Sequence, residues 1–313
     1  MTSAPTRIQY PYKVDYNDHF ETPQCAYEHI MPLMDAVQPS SSRENHIIYD
    51  PFYCNGRTKV LLQSLGFTNV VHEKRDFYED VEKNQLPNYH TFITNPPYSS
   101  DHKEKCVQFA IDRLRPKNSQ KKKKKKQISK PFFILMPNYV AVRNHFRSAI
   151  KSGDNGDDPN DILYVIPPIP YEYDHPEGTG KEVSPFKSIW FCGIPSSKVA
   201  AAKKAFRKMY GDSNIGVGNI GSSMEKPRLV STLQELRQLN AVPTQKRKNL
   251  KQRLKAKKKM QQLSEGSQSQ QRDRTEGTSA ARNQSAIQQG KQKKRKGNSK
   301  YRNEDGVRKK KRF

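Results

Sequence analysis

The chain has little from which to build a large core. Only 33% of its 313 residues are hydrophobic, tryptophan occurs once, and mean hydropathy is −0.99. Values that low exclude a chain globular from end to end, because so polar a sequence cannot bury enough apolar area to offset the entropy of ordering it. A run of about 18 apolar residues is lacking, and so is an apolar signal core at the N-terminus. A soluble, intracellular protein is therefore expected. Cysteine is also scarce. Cys25, Cys54, Cys106 and Cys192 form no CxxC pair, which argues against a zinc site or a disulfide framework and for free thiols in a reducing compartment. Cys25 and His29 fall on one helix face, but no second ligand pair joins them, so no metal is expected.

What the sequence has in excess is positive charge, unevenly placed. Net charge is +26. Residues 241–313 hold 24 Lys/Arg against 5 Asp/Glu, a net of +19, which leaves +7 for the first 240. The lysine run 121–126 supplies six of those charges. The division predicts a loose arm at 1–15 and a folded domain at 16–210, interrupted by a lysine-rich loop at 117–130. Residues 211–240 are ambiguous, with a short helix over 230–239, and 241–313 form a disordered basic tail. Tail and loop together are the electrostatic footprint for DNA or RNA, whose phosphates they would neutralise without reading bases. Lys293-Lys294-Arg295-Lys296 and the cluster Arg308 to Arg312 have the form of nuclear or nucleolar targeting signals.

The most informative stretch is Thr94-Asn95-Pro96-Pro97-Tyr98-Ser99. The apolar run from Tyr89 to Ile93 reads as a buried strand leading into it. Pro96 and Pro97 end ladder pairing and hold the backbone extended, because each ring fixes φ and removes an N–H. The result is a rigid tip at the C-terminal end of a strand, where open α/β sheets bind ligands. The Asn95 side-chain oxygen and the Pro96 carbonyl can both accept hydrogen bonds from one –NH2 group. Accepting from both N–H bonds draws the nitrogen toward a pyramidal shape and exposes its lone pair. Tyr98 offers a face on which the ring bearing that amine can stack.

Three further segments precede the tip. Thr22 as N-cap and Pro23 at the first helical position start an amphipathic helix, whose free N–H groups suit a carboxylate. His46 to Gly56 reads as strand, Asp50, tight loop and helix, ending at Gly66: the first βα unit of a doubly wound sheet. Asn69 to Glu73 is a second strand, with Glu73 at the end where an acid accepts from ribose hydroxyls. Asp76-Phe77 follows after a gap too short for a full helix.

In this order, the segments resemble the motifs of class I S-adenosylmethionine-dependent amino-methyltransferases of the gamma arrangement, most of all the adenine-N6 methyltransferases. The resemblance covers roughly residues 15–210. It implies a seven-stranded, mostly parallel doubly wound sheet with an antiparallel last strand, a Rossmann-like α/β methyltransferase fold. S-adenosyl-L-methionine is the implied donor. Thr22 and Pro23 would touch its methionine end. Asp50, in the Asp-Pro-Phe-x-x-x-Gly loop of Phe52 and Gly56, would face its ammonium, and Glu73 its ribose. Asp76 would accept from its adenine amine, with Phe77 packed on that ring. The family often has a second glycine where this chain has Cys54. Asn95, Pro96, Pro97 and Tyr98 would hold the substrate amine, with core roles expected for Phe186 and Trp190. Two other readings stay open: a protein glutamine N5-methyltransferase, and a non-catalytic nucleic-acid-binding protein.

Overall fold

The computed structural model describes residues 20–38, 42–116, 128–151, 159–173, 186–211 and 226–243. The N-terminal arm, the lysine run and the targeting clusters lie outside these residues.

Helix α1 (Gln24–Val37) is followed by strand β1 (Ile48–Tyr49), helix α2 (Arg57–Ser64) and strand β2 (Val70–Val71). The short helix α3 (Phe77–Glu82) then leads to β3 (Thr91–Thr94), α4 (His102–Leu114) and β4 (Phe132–Pro137). Next come α5 (Asn144–Ile150), β5 (Ile162–Ile166), β6 (Ser188–Gly193) and α6 (Val199–Tyr210). The ambiguous extension supplies β7 (Arg228–Val230) and α7 (Leu233–Gln238). Helix α7 starts where the sequence has a capping box. The Thr232 hydroxyl accepts from the Glu235 amide, and the Glu235 carboxylate accepts from the Thr232 amide.

All seven strands form one sheet in the order β2-β1-β3-β4-β6-β5-β7. The pairs β1–β2, β1–β3 and β3–β4 are parallel. Strand β6 is antiparallel to both β4 and β5, and β7 is antiparallel to β5. The antiparallel ladders carry most of the pairing: six registered positions join β4 to β6, but only two join β1 to each neighbour. This corrects the expectation of a mostly parallel, Rossmann-like sheet. The fold is α/β with seven strands, but its order and pairing are not those of a doubly wound parallel sheet. The reason lies in what an apolar run encodes. A strand covered on both faces reads as continuous hydrophobic sequence whichever way it points. Nor does this strand order bear out the expected S-adenosylmethionine binding or adenine selectivity.

Helices cover both faces. On one, α1, α2 and α6 pack through Ile30, Leu62 and Phe206 against Phe133, Leu135 and Trp190. On the other, α3, α4, α5 and α7 pack through Phe77, Ile111, Phe146 and Leu236 against Phe92, Ile134 and Phe191. The two sets alternate along each strand, as a pleat requires. Trp190 is fully buried and donates from Nε1 to the Ala26 carbonyl at 2.9 Å, tying β6 to α1. The Phe132 ring lies so close over Gly193 that a Cβ there would meet it at 2.1 Å.

The parallel half has short strands and is stitched by side chains. His46, fully buried, bonds through Nε2 to the Thr91 hydroxyl at 2.7 Å. Burial drives its pKa down to about 4. Among the described residues, no helix is long and apolar enough to cross a membrane, and no three His, Cys, Asp or Glu side chains are grouped to hold a metal ion.

Candidate active site

Parallel pairing of β1 with β3 places their C-terminal ends side by side, with Tyr49 opposite Phe92. Asp50 and Thr94 therefore meet. The Thr94 hydroxyl donates to Asp50 Oδ1 at 2.7 Å. Phe52 N also donates to that oxygen at 3.3 Å, and Thr58 on α2 bonds the same carboxylate. His72, just past β2, donates from Nδ1 to the Asp50 carbonyl at 3.1 Å and lies 3.5 Å from Oδ2. Asp50 is only 3% exposed. Burial raises its pKa, opposed by His72 and by the Thr94 and Thr58 hydroxyls. The carboxylate thus joins the ends of β1, β2 and β3 to the start of α2. It does this from inside the protein, whereas the resemblance gave it a ligand to face.

The loop after Asp50 is a tight turn. Gly56 N donates to the Tyr53 carbonyl at 2.8 Å. Gly56 has φ +87°, and a Cβ there would meet the Tyr53 hydroxyl at 2.6 Å, so glycine is required. Cys54 is also left-handed, at φ 46°. It stands where the family often has glycine, and the backbone keeps the glycine-like conformation. Its thiol is pushed up to about 12, first by burial and then by the Glu21 carboxylate. The Tyr53 ring lies flat on His72 at 4.9 Å between centroids, with the Lys74 ammonium 5.2 Å from it.

Helix α1 approaches from the other side. It begins one residue later than predicted: Pro23 takes the cap position, extended at φ −70° and ψ 154°, and no side chain caps the helix. Thr22 is buried and bonds the Tyr27 hydroxyl. That hydroxyl in turn lies 3.1 Å from Thr58 Oγ1. A chain of hydroxyls, Thr22–Tyr27–Thr58, so links the start of α1 to Asp50. Among the described residues, Glu21 Oε1, enclosed beside this chain, has no hydrogen-bond partner, and neither has His72 Nε2.

Three predicted residues are not brought to this junction. Glu73 is exposed, and His72 takes the buried place beside Asp50. Asp76 caps α3, accepting from the amides of Tyr78 and Glu79 at 3.0 and 3.1 Å. Phe77 is buried among Tyr49, Phe92 and Phe109, and Phe52 packs edge-on against it at 5.5 Å.

The tip itself is held on three sides. Asn95 Nδ2 donates to the Phe20 carbonyl at 3.1 Å. Its Oδ1 accepts from the Tyr98 hydroxyl at 2.6 Å, and that hydroxyl also faces the Leu135 carbonyl at 3.3 Å. Lys103 on α4, itself buried, donates to the Tyr98 carbonyl. Pro96 is buried and Pro97 half-buried between these anchors. The Tyr98 ring is stacked on Phe20 at 6.1 Å and meets the edge of Phe186 at 5.0 Å. Tyr173 lies edge-on to Phe20 at 5.7 Å. Burial raises the Tyr98 pKa well above the usual phenol range and pushes Tyr173 up to about 12. The amide oxygen is turned toward the aromatic cluster, but a phenol of the same chain holds it. Phe186 joins this cluster, and Trp190 lies in the core.

The sequence reading missed Thr94, His72, Tyr27 and Thr58 as parts of the junction. Only Thr94 had a local signal, its place immediately before Asn95. The other three are joined to Asp50 by tertiary contact.

A scan against protein-family models finds no match to this chain, and no curated protein matches it either.

Proposed function

We propose that this chain is an S-adenosylmethionine-dependent methyltransferase acting on an exocyclic amine of a nucleic-acid base, foremost adenine N6, in DNA or RNA. The observation that carries the reading is the 2.7 Å hydrogen bond from Thr94 to Asp50. It sets the Asn-Pro-Pro-Tyr tip directly beside the Asp-Pro-Phe loop. An amine acceptor and a donor loop are useful to methyl transfer only when adjacent, since most of the rate comes from orientation.

The residues around Cys54 fit a cationic donor in one respect. Glu21 Oε1 is an enclosed acceptor without a partner among the described residues, close to Cys54 of the loop. An ammonium would satisfy it. Glu21, Thr22 and the turn of Tyr53 to Gly56 would hold that end of the donor, and His72 Nε2 is the free polar atom on the β2 side. Asp50 would act through the loop it organises. The donor, when bound, supplies a methyl group on a sulfonium.

The chain's own residues do the rest. Asn95 Nδ2, fixed on the Phe20 carbonyl, keeps Oδ1 as the acceptor. The substrate amine takes the place of the Tyr98 hydroxyl on that oxygen, with the Pro96 carbonyl as second acceptor. Holding both N–H bonds aims the nitrogen lone pair at the methyl carbon. The donor would supply the methyl group, and the amine nitrogen held by Asn95 Oδ1 and the Pro96 carbonyl would give up a proton to water. A base in a duplex must be flipped out to reach the tip, and a single strand avoids that cost. The basic tail would add salt-sensitive phosphate affinity, and its clusters would direct the protein to the nucleus and nucleolus.

The test is transfer of radiolabelled methyl from S-adenosylmethionine by the purified protein. Label should enter RNA or DNA, and Asn95→Ala should reduce it at least about 100-fold, the scale for losing one polarising contact. Digestion to nucleosides should yield N6-methyladenosine or its deoxy form. Label confined to protein would establish the glutamine reading. Absence of donor binding by calorimetry would establish a non-catalytic binder.

A further inference from the structure

A hollow of about 390 Å3 opens at the N-terminal edge of the parallel half, where β3 and β4 begin and α4 ends. Arg113 and Lys130 line it, with Asn84, Asn88 and Tyr89. The Lys130 ammonium donates to the Tyr89 carbonyl and stands 4.7 Å from the centre of that ring. Burial and the Arg113 guanidinium both push Lys130 below the usual lysine value. Burial, then Lys130, does the same to His90. Two neighbouring groups thus feel a positive field. Among the described residues, acids of the flanking helices turn to other partners: Asp80 to Arg75, Glu79 to Lys83, Asp112 to Gln108. Glu82 lines the next groove, between α3 and α4, which Arg113 also borders. Helix α5 lies on the other flank of α4, where Arg115 holds the Ile150 carbonyl and Asp161. Residues 152–158, with three aspartates, connect those two points and no part of the hollow. The segment that does start and end at the hollow is 117–127, since Pro116 and Ile128 both line it. It contains seven lysines and no Asp or Glu. At most about 3.6 Å per residue from either end, none of them can be farther than roughly 20 Å along the chain from the rim.

We propose that this hollow binds a backbone phosphate of the nucleic acid whose base is methylated at Asn95, as a second anchor on the opposite edge of the sheet. Arg113 offers a planar pair of donors, Lys130 a point charge, and the Asn84 and Asn88 amides further N–H groups. Such contacts position a strand and read no base. Strand β3 separates the two places. From Tyr89 to Asn95 is six residues, about 20 Å at the rise of a strand. The substrate must therefore extend well beyond the target nucleotide, and a trinucleotide cannot touch both edges. The reach to Asn95 rests on the methyltransferase reading; phosphate binding in the hollow does not.

The test uses the full-length protein with a trinucleotide and with single-stranded RNA or DNA of about 30 nucleotides, well beyond that span at roughly 3.4 Å per nucleotide. Lysines are acetylated with a reactive ester, with and without each strand, and the modified sites are read by mass spectrometry. The long strand should slow acetylation of Lys130 at least about five-fold, as expected of an ammonium engaged on phosphate. Arg113→Glu should abolish that protection and Arg113→Gln reduce it, while lysines of the tail stay protected. An unchanged melting temperature shows that each variant folds, and Arg113→Gln carries the test if the reversed charge unfolds the domain. The slope of log affinity against log salt should drop by about 0.7 for the cation lost. Lys130 acetylated at the same rate with the long strand, or equally protected in both variants, would overturn the proposal. So would protection by inorganic phosphate or a nucleoside triphosphate at a lower concentration than by the long strand, which would assign the hollow to a free anion. In methyl transfer, Arg113→Glu should raise the KM of the long strand at least about five-fold, with kcat and the trinucleotide KM unchanged. Protection of Lys130 without methyl transfer would leave this site standing and remove the enzymatic reading. Methyl transfer with an unchanged KM for the long strand would do the reverse.

Discussion

The two halves of the sheet are built differently. From β4 to β7 neighbouring strands pair antiparallel, and β4, β5 and β6 are five or six residues long. From β2 to β4 they are parallel, and β1 and β2 are two residues each. Main-chain ladders hold the first half, and side chains hold the second: His46 on Thr91, His72 on Asp50, Asp50 on Thr94. The candidate active site sits in the half that side chains hold. A site assembled from buried polar contacts can be altered one contact at a time, whereas a core of ladders and rings fails as a unit.

That contrast can be broken most sharply at Trp190. Trp190→Ala should cost about 3–5 kcal/mol, as for large aromatic truncations in cores, and urea unfolding should show one cooperative loss. His46 gives the next largest effect and acts only with pH. Its pKa is about 4 when folded, against an ordinary value of ~6.5. The unfolded chain therefore binds the proton first as pH falls. The stability tied to neutral His46 is fully present above about 6.5 and is lost as pH drops toward 4, to a total of roughly 3 kcal/mol. His46→Asn should flatten the pH dependence of the urea midpoint over that window, and an unchanged profile would refute the assignment.

Thr94→Val tests the joint between the two motifs. It removes the hydroxyl that satisfies Asp50 Oδ1 and should cost about 1–3 kcal/mol. If the loop is a donor site, calorimetric affinity for S-adenosylmethionine should weaken as well. The smallest effect expected is at Tyr98. Tyr98→Phe frees Asn95 Oδ1 and gives up the contact to the Leu135 carbonyl, so stability should fall by about 1 kcal/mol. Relief of that competition should tighten substrate binding about five-fold, measured as the nucleic-acid KM. A weaker KM would mean that the hydroxyl assists binding.

The segments that line the candidate site were local signals in the sequence, whereas the pairing of the strands was not. Two prolines after a buried strand, and an acid before a glycine-bearing turn, are local signals, and the structure brings Asn95 and Asp50 together. Thr22, Pro23, Phe52 and Gly56 also gather near that junction. Glu73 and Asp76 do not, because strand β2 ends early. His72 then takes the inward position, and Asp76 caps the short helix that follows. Strand direction was not legible, since Phe132–Pro137 and Ser188–Gly193 are apolar throughout. Nor was β7, whose three residues begin with arginine. Its place in the sheet is set by pairing with Tyr164 to Ile166, a contact more than 60 residues back in the chain.

The unequal settings of the four thiols have a practical consequence. Cys106 and Cys192 are enclosed in the two cores, and Cys54 stays protonated in its left-handed turn. Cys25 alone is open to solution, two residues from Pro23 at the start of α1. Among the four, a maleimide dye should decorate that position without engineering, giving a fluorescent reporter at the start of α1.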